Sequence, residues 1–502
     1  MNTLTTPSAG GRRRPHPSDD PRPADETLTA SSPADYTLPV VVAGQRSLAR
    51  AWLLLALAAL VGSGLFSVLL VLARTPGINA WLPAGDFFRV ALVVHVDLSV
   101  LVWFVAIAGL LWTLAARPAA SAAGAALHRL PLLLCGAGAL GMALAAFTGG
   151  GPAVMANYIP MLDSTAFRGA VAVFGLGALL LVTLSLARAL PIGPAVDGAG
   201  ALRFGLHAGA VAAAVALLAF AWSLAVVPTE LPAKAYYEIL FWGGGHALQF
   251  TWTLLMLVAW LALAQACGGR IPLSPRIVLL LFVVALIGVF GTPLAYLMHD
   301  VSSVEHRDMH TWGMRFGGGL AIVPLALAVL LAMAPRRSGP ARTDTQRPRP
   351  ALSAQQRPLR AALLASMLLF VAGGVIGLAI QGNNVKIPAH YHGCIVGVTL
   401  ALMGVVYHLL PQLGYRAPAG RAAVLQPWLY GGGQLLHIVG LVWSGGYGVQ
   451  RKVAGAEQVL RSTGEVAGMG LMGLGGLLAI AGGLLFVVVV ARAMHTTTEP
   501  RP

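Results

Sequence analysis

Charged residues are scarce in this sequence: Asp, Glu, Lys and Arg together make up 10% of its 502 residues. Soluble globular proteins carry about a quarter of their residues as these four types, so a chain of this composition is not expected to fold in water. Hydrophobic residues make up 57% of the chain, and its mean hydropathy is +0.76. Long apolar runs recur from residue 51 to residue 493, without the alternating polarity of a barrel strand. They predict an all-α, polytopic membrane protein.

Cysteine is also scarce. The chain has three cysteines, Cys135, Cys267 and Cys394, and they lie singly, with no CxxC and no CxxCH motif. Their spacing gives no basis for a disulfide framework, a thiolate metal cluster or a covalently attached c-type haem.

The formal net charge is +15, and a strong positive charge is one signal of nucleic-acid binding. Here, however, the excess of Lys and Arg lies in the N-terminal tail and in the loops on one side of the predicted bundle. Such an asymmetry marks the cytoplasmic side of a membrane protein. We therefore expect no nucleic-acid partner. We expect a multi-pass protein of a bacterial inner (cytoplasmic) membrane, surrounded by lipid, with both termini in the cytoplasm.

The chain divides into a polar tail and one membrane domain. Residues 1–48 lack an apolar run and are expected to form a disordered cytoplasmic tail. Residues 49–495 form the membrane domain, with a flexible, Pro- and Arg-rich cytoplasmic loop at 335–359, and 496–502 form a C-terminal tail. The apolar runs predict a bundle of twelve transmembrane helices, at about 51–73, 87–115, 129–149, 166–189, 204–228, 236–266, 276–300, 311–334, 359–381, 388–412, 425–446 and 465–493.

Thirteen histidines occur, and six of them fall at or near the outer third of the predicted membrane region. Imidazoles buried at a shared depth on several helices are costly unless they bind ligands or one another. Converging helices of a bundle are also where proteins hold haem and metal. Four other histidines show no such pattern and are equally well explained as structural or exposed. The six are His95, His246, His299, His310, His390 and His392, and the four are His128, His207, His408 and His437.

Two of the six belong to one predicted span, in the stretch PAHYHGCIVGVTLALMGVVYHLLP at 388–411. Residues two apart lie about 200° apart around a helix axis, so His390 and His392 point to opposite sides. One membrane helix can then hold a metal centre on each side. A pair of histidines with this spacing also occurs without function at helix ends, and the positions of the other histidines favour a site.

Twelve spans with histidines on spans 2, 6, 7 and 10, and an HxH on span 10, resemble the catalytic subunit of the haem–copper oxidase superfamily over about residues 50–493. That superfamily contains the oxygen-reducing terminal oxidases and the nitric oxide reductases. The resemblance implies that His95 and His392 are the axial ligands of a low-spin haem and that His390 is the proximal ligand of a high-spin haem. It also implies a second metal near the outer side, facing the high-spin haem, with His246 as its first ligand.

The same resemblance extends to four further positions. The family's adjacent His-His pair falls here on His299 and Asp300, which implies both as ligands of the second metal. The segment GVQRK resembles the family's basic pair that binds haem propionates, which implies that role for Arg451 and Lys452. Basic side chains suit carboxylates in a partly dry pocket. We expect both haems to be of b type and the second metal to be non-haem iron or copper.

The sequence departs from the oxygen-reducing members at their redox-active tyrosine. In one group that tyrosine lies four residues after the span 6 histidine, where this chain has Phe250. In another it lies six residues before the His-His pair, where this chain has Pro293, and Tyr296 lies on a different face of the helix. Splitting O₂ in one step needs four electrons, one of which that tyrosine commonly supplies, whereas reducing two NO to N₂O needs two. The departure therefore favours NO chemistry.

Carboxylates near the outer side favour the same chemistry. Asp300 would give the second metal a hard, anionic ligand that suits non-haem iron at least as well as copper. Glu238 and Glu305 are possible further carboxylates, although a position at the membrane interface also explains them.

The cytoplasmic halves of the spans have few polar residues, and span 8 after Gly319 reads LAIVPLALAVLLAMA. Because a proton path needs ionisable or polar groups, we expect protons to enter from the outside without pumping.

The leading hypothesis from the sequence is a respiratory membrane oxidoreductase, the haem-containing subunit I of a terminal reductase that converts nitric oxide to nitrous oxide. Because the chain has no c-haem motif, we expect electrons from a periplasmic donor or partner subunit, of c-type cytochrome or cupredoxin-like kind. The first alternative is a divergent C-type-like cytochrome c oxidase that reduces O₂ to water. A non-catalytic haem membrane protein or a transporter is a further alternative, although the sequence shows no clear inverted repeat.

Overall fold

A computed structural model describes residues 35–79, 85–149, 151–193, 196–334, 351–454 and 457–495. Over these residues the chain is almost entirely helical. The first seven helices are α1 (Ala43–Leu72), α2 (Gly85–Val96), α3 (Trp103–Ala115), α4 (Ala122–Ala145), α5 (Thr165–Ala187), α6 (Gly198–Val226) and α7 (Ala233–Ala266). The following eight are α8 (Pro275–Ile287), α9 (Gly291–Met298), α10 (Val304–Gly317), α11 (Gly319–Met333), α12 (Gln356–Leu378), α13 (Lys386–Leu409), α14 (Arg421–Gly446) and α15 (Thr463–His495).

Some of these helices continue one another. α2 passes into α3 through a π-helical segment, Asp97–Val102, and α8 passes into α9 through a 3₁₀ turn, Gly288–Phe290. α10 and α11 meet at Gly318. Between α4 and α5 two short strands, β1 (Ala153–Val154) and β2 (Met161–Leu162), pair antiparallel. Because three pairs of helices are continuous, the fifteen helices of the described residues amount to twelve crossings.

Eleven of these crossings in the described chain are long and apolar enough to span a bilayer. The twelfth, α14, has 26 residues and carries Arg421, Gln426, Gln434 and His437 among its apolar side chains. At 1.5 Å per residue it is about 39 Å long, which exceeds the hydrocarbon core of about 30 Å, and it packs against α13 and α15. The predicted twelve-helix membrane bundle is confirmed.

Packed structure begins earlier than the sequence suggested. Tyr36 is fully buried, and its hydroxyl donates to the carbonyl oxygen of Leu273 at 2.7 Å. Leu38 and Val41 are also buried, and α1 already begins at Ala43. The predicted end of the disordered tail at residue 48 is therefore too late, because apolar side chains just before α1 pack against the bundle.

Other parts of the predicted termini and loop cannot be compared with the fold. The segments that lie outside the described residues are 1–34 of the predicted tail, 335–350 of the predicted loop and 496–502 at the C-terminus. The described part of the predicted loop is 351–359. Its last four residues already belong to α12, which begins at Gln356.

α7 and α13 form the centre of the bundle. In their most apolar stretches 83% and 78% of the residues are buried, compared with at most 61% in the other apolar spans of the described chain. Burial on all sides is typical of a helix surrounded by other helices. These two helices carry three of the histidines that the sequence singled out, His246 on α7 and both His390 and His392 on α13.

Glycines let helices approach closely around this centre. A Cβ atom on Gly373 of α12 would collide with the backbone nitrogen of Cys394 on α13, and one on Gly393 would lie 2.5 Å from Cα of Gly373. α14 and α15 approach in the same way, since a Cβ on Gly440 would collide with the backbone nitrogen of Met472. Close backbone approach through small residues is a main source of helix association in membranes.

We expect Gly440→Ala to destabilise the α14–α15 pair by about 1–3 kcal/mol, because the added methyl group has to displace backbone rather than a flexible side chain. Gly432→Ala on the same helix is the matched control, because nothing lies within 4 Å of its Cβ position. Thermal unfolding in detergent should show a lower midpoint for Gly440→Ala alone. Equal midpoints for the two variants would contradict this packing.

Candidate functional site

His390 and His392 lie on α13 and face different neighbours. The Nδ1 atom of His390 is 2.8 Å from the carbonyl oxygen of Gly373 on α12, and a Cβ atom on Gly377 would lie 2.6 Å from the same nitrogen. The Nδ1 atom of His392 is 2.8 Å from the carbonyl oxygen of Pro388, one turn earlier. Because a carbonyl oxygen only accepts, both Nδ1 atoms carry the proton, and both Nε2 atoms keep a lone pair for a metal.

His392 belongs to a group of imidazoles on the α14 side. Its ring centroid is 5.1 Å from that of His437 on α14, and His95 on α2 lies near enough for its charge to act on His392. The Nδ1 atom of His95 is 3.0 Å from the carbonyl oxygen of Ser63 on α1, which again leaves Nε2 free. The structure thus brings together the two residues expected to hold the low-spin haem. It adds His437, to which the sequence assigned no role.

His246 lies on α7 and is only 3% exposed. Its Nδ1 atom is 2.8 Å from the carbonyl oxygen of Trp242, one turn earlier, so Nδ1 carries the proton. The hydroxyl of Tyr158, from the turn between β1 and β2, donates to Nε2 at 2.9 Å. Nε2 is therefore the acceptor atom of this ring and the one that a metal ion would use. Tyr158 is a contact that the sequence did not reveal.

The run of glycines just before His246 admits other rings to the surface of α7. A Cβ atom on Gly243 would collide with the hydroxyl of Tyr296 and would lie 3.0 Å from Nε2 of His310. Tyr296 and His310 can therefore occupy these positions only because residue 243 has no side chain. The other two glycines of the run act in the same way, Gly244 on the ring of Phe220 and Gly245 on the ring of Tyr158.

His306 and His310 lie one turn apart on α10 and bring two more imidazoles to this place. The ring centroids of His306 and His310 are 4.5 Å apart, and those of His310 and His246 are 5.8 Å apart. Both α10 histidines are buried. Within the described part of the chain, Nε2 of His310 and both ring nitrogens of His306 have no hydrogen-bond partner. The sequence counted His310 among the six outer histidines without a ligand role and did not single out His306; their i, i+4 spacing is the signal that would have found the pair.

His299 and Asp300 lie between α9 and α10, near enough to His306 to interact with it electrostatically. His299 ends α9 in an extended conformation and is half-buried, and Asp300 after it is exposed. The carboxylate of Asp300 accepts hydrogen bonds from the hydroxyl and the backbone nitrogen of Ser302, and these bonds lower the pKa of Asp300 below its usual value. The structure does not bring Asp300 to His246, because the carboxylate is held in the turn that precedes α10.

Arg451 and Lys452 follow α14 and lie on the β1–β2 hairpin. Nη1 of Arg451 and Nζ of Lys452 donate to Oδ1 of Asn157 at 3.3 and 3.4 Å. Lys452 also donates to the carbonyl oxygen of Met155 at 2.6 Å. The backbone nitrogen of Asn157 donates to Oε2 of Glu238 at 2.9 Å. Asn157 therefore connects the basic pair to the carboxylate near the start of α7.

Two residues of this region have a left-handed backbone without being glycine, Tyr158 with φ 67° and Lys452 with φ 65°. Such conformations cost about 1–3 kcal/mol and cluster at functional sites. Burial disfavours the charged form of Lys452 and lowers its pKa to about 8. A neighbouring anion would favour the charged form again. Burial, followed by the charge of Glu238, raises the pKa of Tyr158. The Tyr158 hydroxyl thus stays protonated as a donor.

This arrangement of helices and buried imidazoles can be compared with known proteins. A family model described as "Cytochrome C and Quinol oxidase polypeptide I" matches residues 47–479. The chain belongs to this family. Members of the haem–copper oxidase subunit I family hold two haems and a further metal, and the chain is accordingly a membrane oxidoreductase. The resemblance drawn from the histidine pattern is confirmed at the level of the superfamily.

Individual relatives cover the chain to different extents. An uncharacterised protein of Rickettsia prowazekii is 29% identical over 508 residues, which cover 89% of this chain and 96% of the relative. Cytochrome c oxidase subunit 1 of Thermus thermophilus is 27% identical over 254 residues, 46% of this chain and 43% of the relative. A solved haem–copper terminal oxidase dimer matches 92% of this chain and 86% of its own chain, with a TM-score of 0.68 and 17% identity. At that identity the likeness shows the shared fold alone.

The histidines fit the groups that this family holds. His95, His246, His390 and His392 each have Nδ1 at a carbonyl oxygen, which is the state in which a histidine presents Nε2 to a metal. Among the described residues no three His, Cys, Asp or Glu side chains already converge closely enough to hold an ion. A metal site at these rings therefore needs side chains to rotate on binding.

We expect Gly243→Ala to disturb the surroundings of His246 and His310, because the added methyl group would collide with Tyr296 and crowd His310, at a cost of about 1–3 kcal/mol. In the reduced-minus-oxidised spectrum of the purified protein, the low-spin haem signal should remain and the high-spin signal should shift or weaken. Gly313→Ala on α10 is the control, because nothing lies within 4 Å of its Cβ position. An unchanged high-spin signal in Gly243→Ala would contradict the close contact.

Proposed function

We propose that the protein reduces nitric oxide to nitrous oxide, as the haem-containing subunit I of a respiratory terminal reductase. The observation that carries this choice of substrate is the environment of Phe250. Phe250 lies about one turn after His246 on α7, where one group of oxygen reducers has its redox-active tyrosine. Its ring fills a slot between two glycines, since Cβ atoms on Gly288 and Gly317 would each lie 3.1 Å from it. No phenol is available at this position, which suits a two-electron reduction better than a four-electron one.

The proposed cofactors are two b-type haems and a second metal, either non-haem iron or copper. His95 and His392 would be the axial ligands of the low-spin haem, His390 the proximal ligand of the high-spin haem and His246 a ligand of the second metal. When bound, the high-spin haem and the second metal supply two electrons and Lewis acidity to the substrate. Because His390 faces α12 and His392 faces α14, a single helix separates the two groups of ligands.

Arg451 and Lys452 are proposed to bind the haem propionates. Both side chains already reach one polar group, Oδ1 of Asn157. Burial disfavours the charged form of Lys452 and so lowers its pKa, and a propionate beside it would offset that cost. Electrons would come from a periplasmic c-type cytochrome, a cupredoxin-like protein or a partner subunit, because the sequence has no CxxCH motif for a c-type haem of its own.

We further propose that protons enter from the side of the β1–β2 hairpin and that none are pumped. Glu238 lies about two turns before His246 on α7 and is hydrogen-bonded to Asn157, so it can take protons at the hairpin. Beyond His246, α7 continues through buried, apolar residues at 254–264, and α11 contains no ionisable residue. A proton path across the membrane would need polar groups that these segments lack.

Reduction of O₂ to water is the second candidate, and two tyrosines favour it. The hydroxyl of Tyr158 donates to His246, and the ring of Tyr296 is 4.7 Å from that of His306, centroid to centroid. Either phenol is near enough to the imidazoles to take the place of the tyrosine that is missing at Phe250. Against Tyr296, its hydroxyl is already hydrogen-bonded to Ser223 at 2.6 Å.

We expect the purified, fully reduced protein to release one N₂O for every two NO consumed and to consume O₂ at least about tenfold more slowly, a difference of about 1.4 kcal/mol in barrier. His390→Ala should abolish the activity by removing the ligand of the high-spin haem. Rapid O₂ consumption without N₂O release would refute NO reduction. Loss of that O₂ consumption in Tyr158→Phe would then show which phenol takes part.

Reconstituted vesicles test the side of proton uptake. Turnover with NO should make the medium on the hairpin side alkaline and leave the opposite compartment unchanged, and a pH-sensitive dye on each side measures both. Glu238→Gln should slow turnover while both haem signals persist, and Glu305→Gln, at an exposed position at the start of α10, is the control. Alkalinisation of the compartment opposite the hairpin would contradict the proposed route.

A further inference from the structure

The buried pair His306 and His310 has no place among the roles that the family resemblance implies. In the described part of the chain, three of the four ring nitrogens of this pair lack a hydrogen-bond partner, although the two residues are only 0% and 5% exposed. A buried polar group left without a partner costs about 1–3 kcal/mol. Native structures rarely keep several such groups side by side unless an ion, a water or a catalytic role explains them.

We propose that His306 and His310, together with His246, hold the second metal of the site, and that His299 and Asp300 do not. The inference rests on the proposed function only in assuming a second metal beside the high-spin haem. It concerns which residues of this chain bind that metal, whatever the substrate is.

The proton positions on two of the rings already suit this role. Nδ1 of His246 donates to the carbonyl oxygen of Trp242, and Nδ1 of His310 donates to the carbonyl oxygen of His306, each at 2.8 Å. Both rings therefore present a lone pair at Nε2. On His246 that lone pair accepts the hydroxyl hydrogen of Tyr158, and on His310 it has no partner within the described residues. Neither ring nitrogen of His306 has a hydrogen-bond partner within the described residues, so nothing there prevents Nε2 from carrying the lone pair of this ring.

The spacing of the rings is close to that of a shared ion. Imidazoles bound to one tetrahedral metal at about 2.0–2.1 Å have ring centroids about 5 Å apart. The distances of 5.8 Å between His246 and His310 and of 4.5 Å between His306 and His310 lie on either side of that value. The spacing of these two pairs is therefore compatible with one ion shared through His310, and rotation of the side chains would complete the site.

Neighbouring residues hold the α10 pair in place. The hydroxyl of Ser303 accepts a hydrogen bond from the backbone nitrogen of His306 at 3.1 Å and caps the start of α10. The ring of Tyr296 lies edge-on to both histidines, with an interplanar angle of 82° to each. The i, i+4 spacing on a helix is also one by which two histidines commonly bind a single metal from one face.

The alternative ligands lie near His306 but are held differently. Asp300 is exposed, and its carboxylate is engaged by Ser302, so binding the metal would require breaking that turn. His299 is half-buried at the end of α9. Imidazole ligands suit both copper and iron. Because the proposed set includes no carboxylate, it suits copper as well as iron.

The test is the content of iron and copper per chain in the purified protein, with haem counted from the reduced-minus-oxidised spectrum. His306→Ala and His310→Ala should each lower the second metal, relative to haem, by about tenfold or more, since even residues that only support a ligand cost about 10–100-fold in metal affinity when replaced. His299→Ala and Asp300→Ala should keep it. His408→Ala, at the other end of α13, controls for the loss of a histidine from the bundle.

The low-spin haem signal reports folding in every variant, so a misfolded variant is recognised by the loss of both haem signals. If alanine at 310 has that effect, His310→Asn, which keeps a polar side chain of similar size, is measured in the same way. Retention of the second metal in the double variant His306→Ala/His310→Ala, or its loss in Asp300→Ala alone, would overturn the inference. Metal bound through the three histidines by a protein that consumes O₂ would instead refute the proposed function and leave the ligand set intact.

Discussion

The structure depends on one constraint, which is that an imidazole buried among apolar helices needs a partner for its N–H group. At each of five buried or half-buried histidines a backbone carbonyl oxygen accepts the Nδ1 proton, at 2.8 to 3.0 Å. This pairing fixes the tautomer and turns Nε2 away from the backbone. It offsets only part of the cost of burying the ring, because the lone pair of Nε2 is left for another partner, such as a metal ion. The five residues and their partners are His246 with Trp242, His310 with His306, His390 with Gly373, His392 with Pro388 and His437 with Met472.

The second constraint is space, and glycine meets it. α12 and α13 approach so closely at Gly373 that its carbonyl oxygen reaches His390. The glycine run at 243–245 admits rings from α6, α9, α10 and the hairpin to the surface of α7, directly beside His246. Without those glycines, Tyr296 and His310 would be displaced from their present positions. Small residues in the centre of the bundle therefore decide where the functional side chains can meet.

The sequence predicted the parts of this structure that depend on composition and helical period. The apolar runs gave twelve spans, and the two-residue spacing of His390 and His392 gave their different neighbours. The grouping of His306 with His246 could not be predicted in the same way, because it arises from the packing of α10 against α7. The place of Asp300 was inferred by resemblance to a histidine pair of the family, whereas in the structure its position is set by a local turn with Ser302.

The central claim is that the Nε2 atoms of buried or half-buried histidines, among them His95, His246, His390 and His392, hold two haems and one further metal. The most direct measurement is the number of haems and of iron and copper atoms per chain in protein purified from membranes under mild detergent. The account predicts two haems and one additional metal atom per chain. A folded chain of full helical content that carries no haem, or two haems without any further metal, would contradict it.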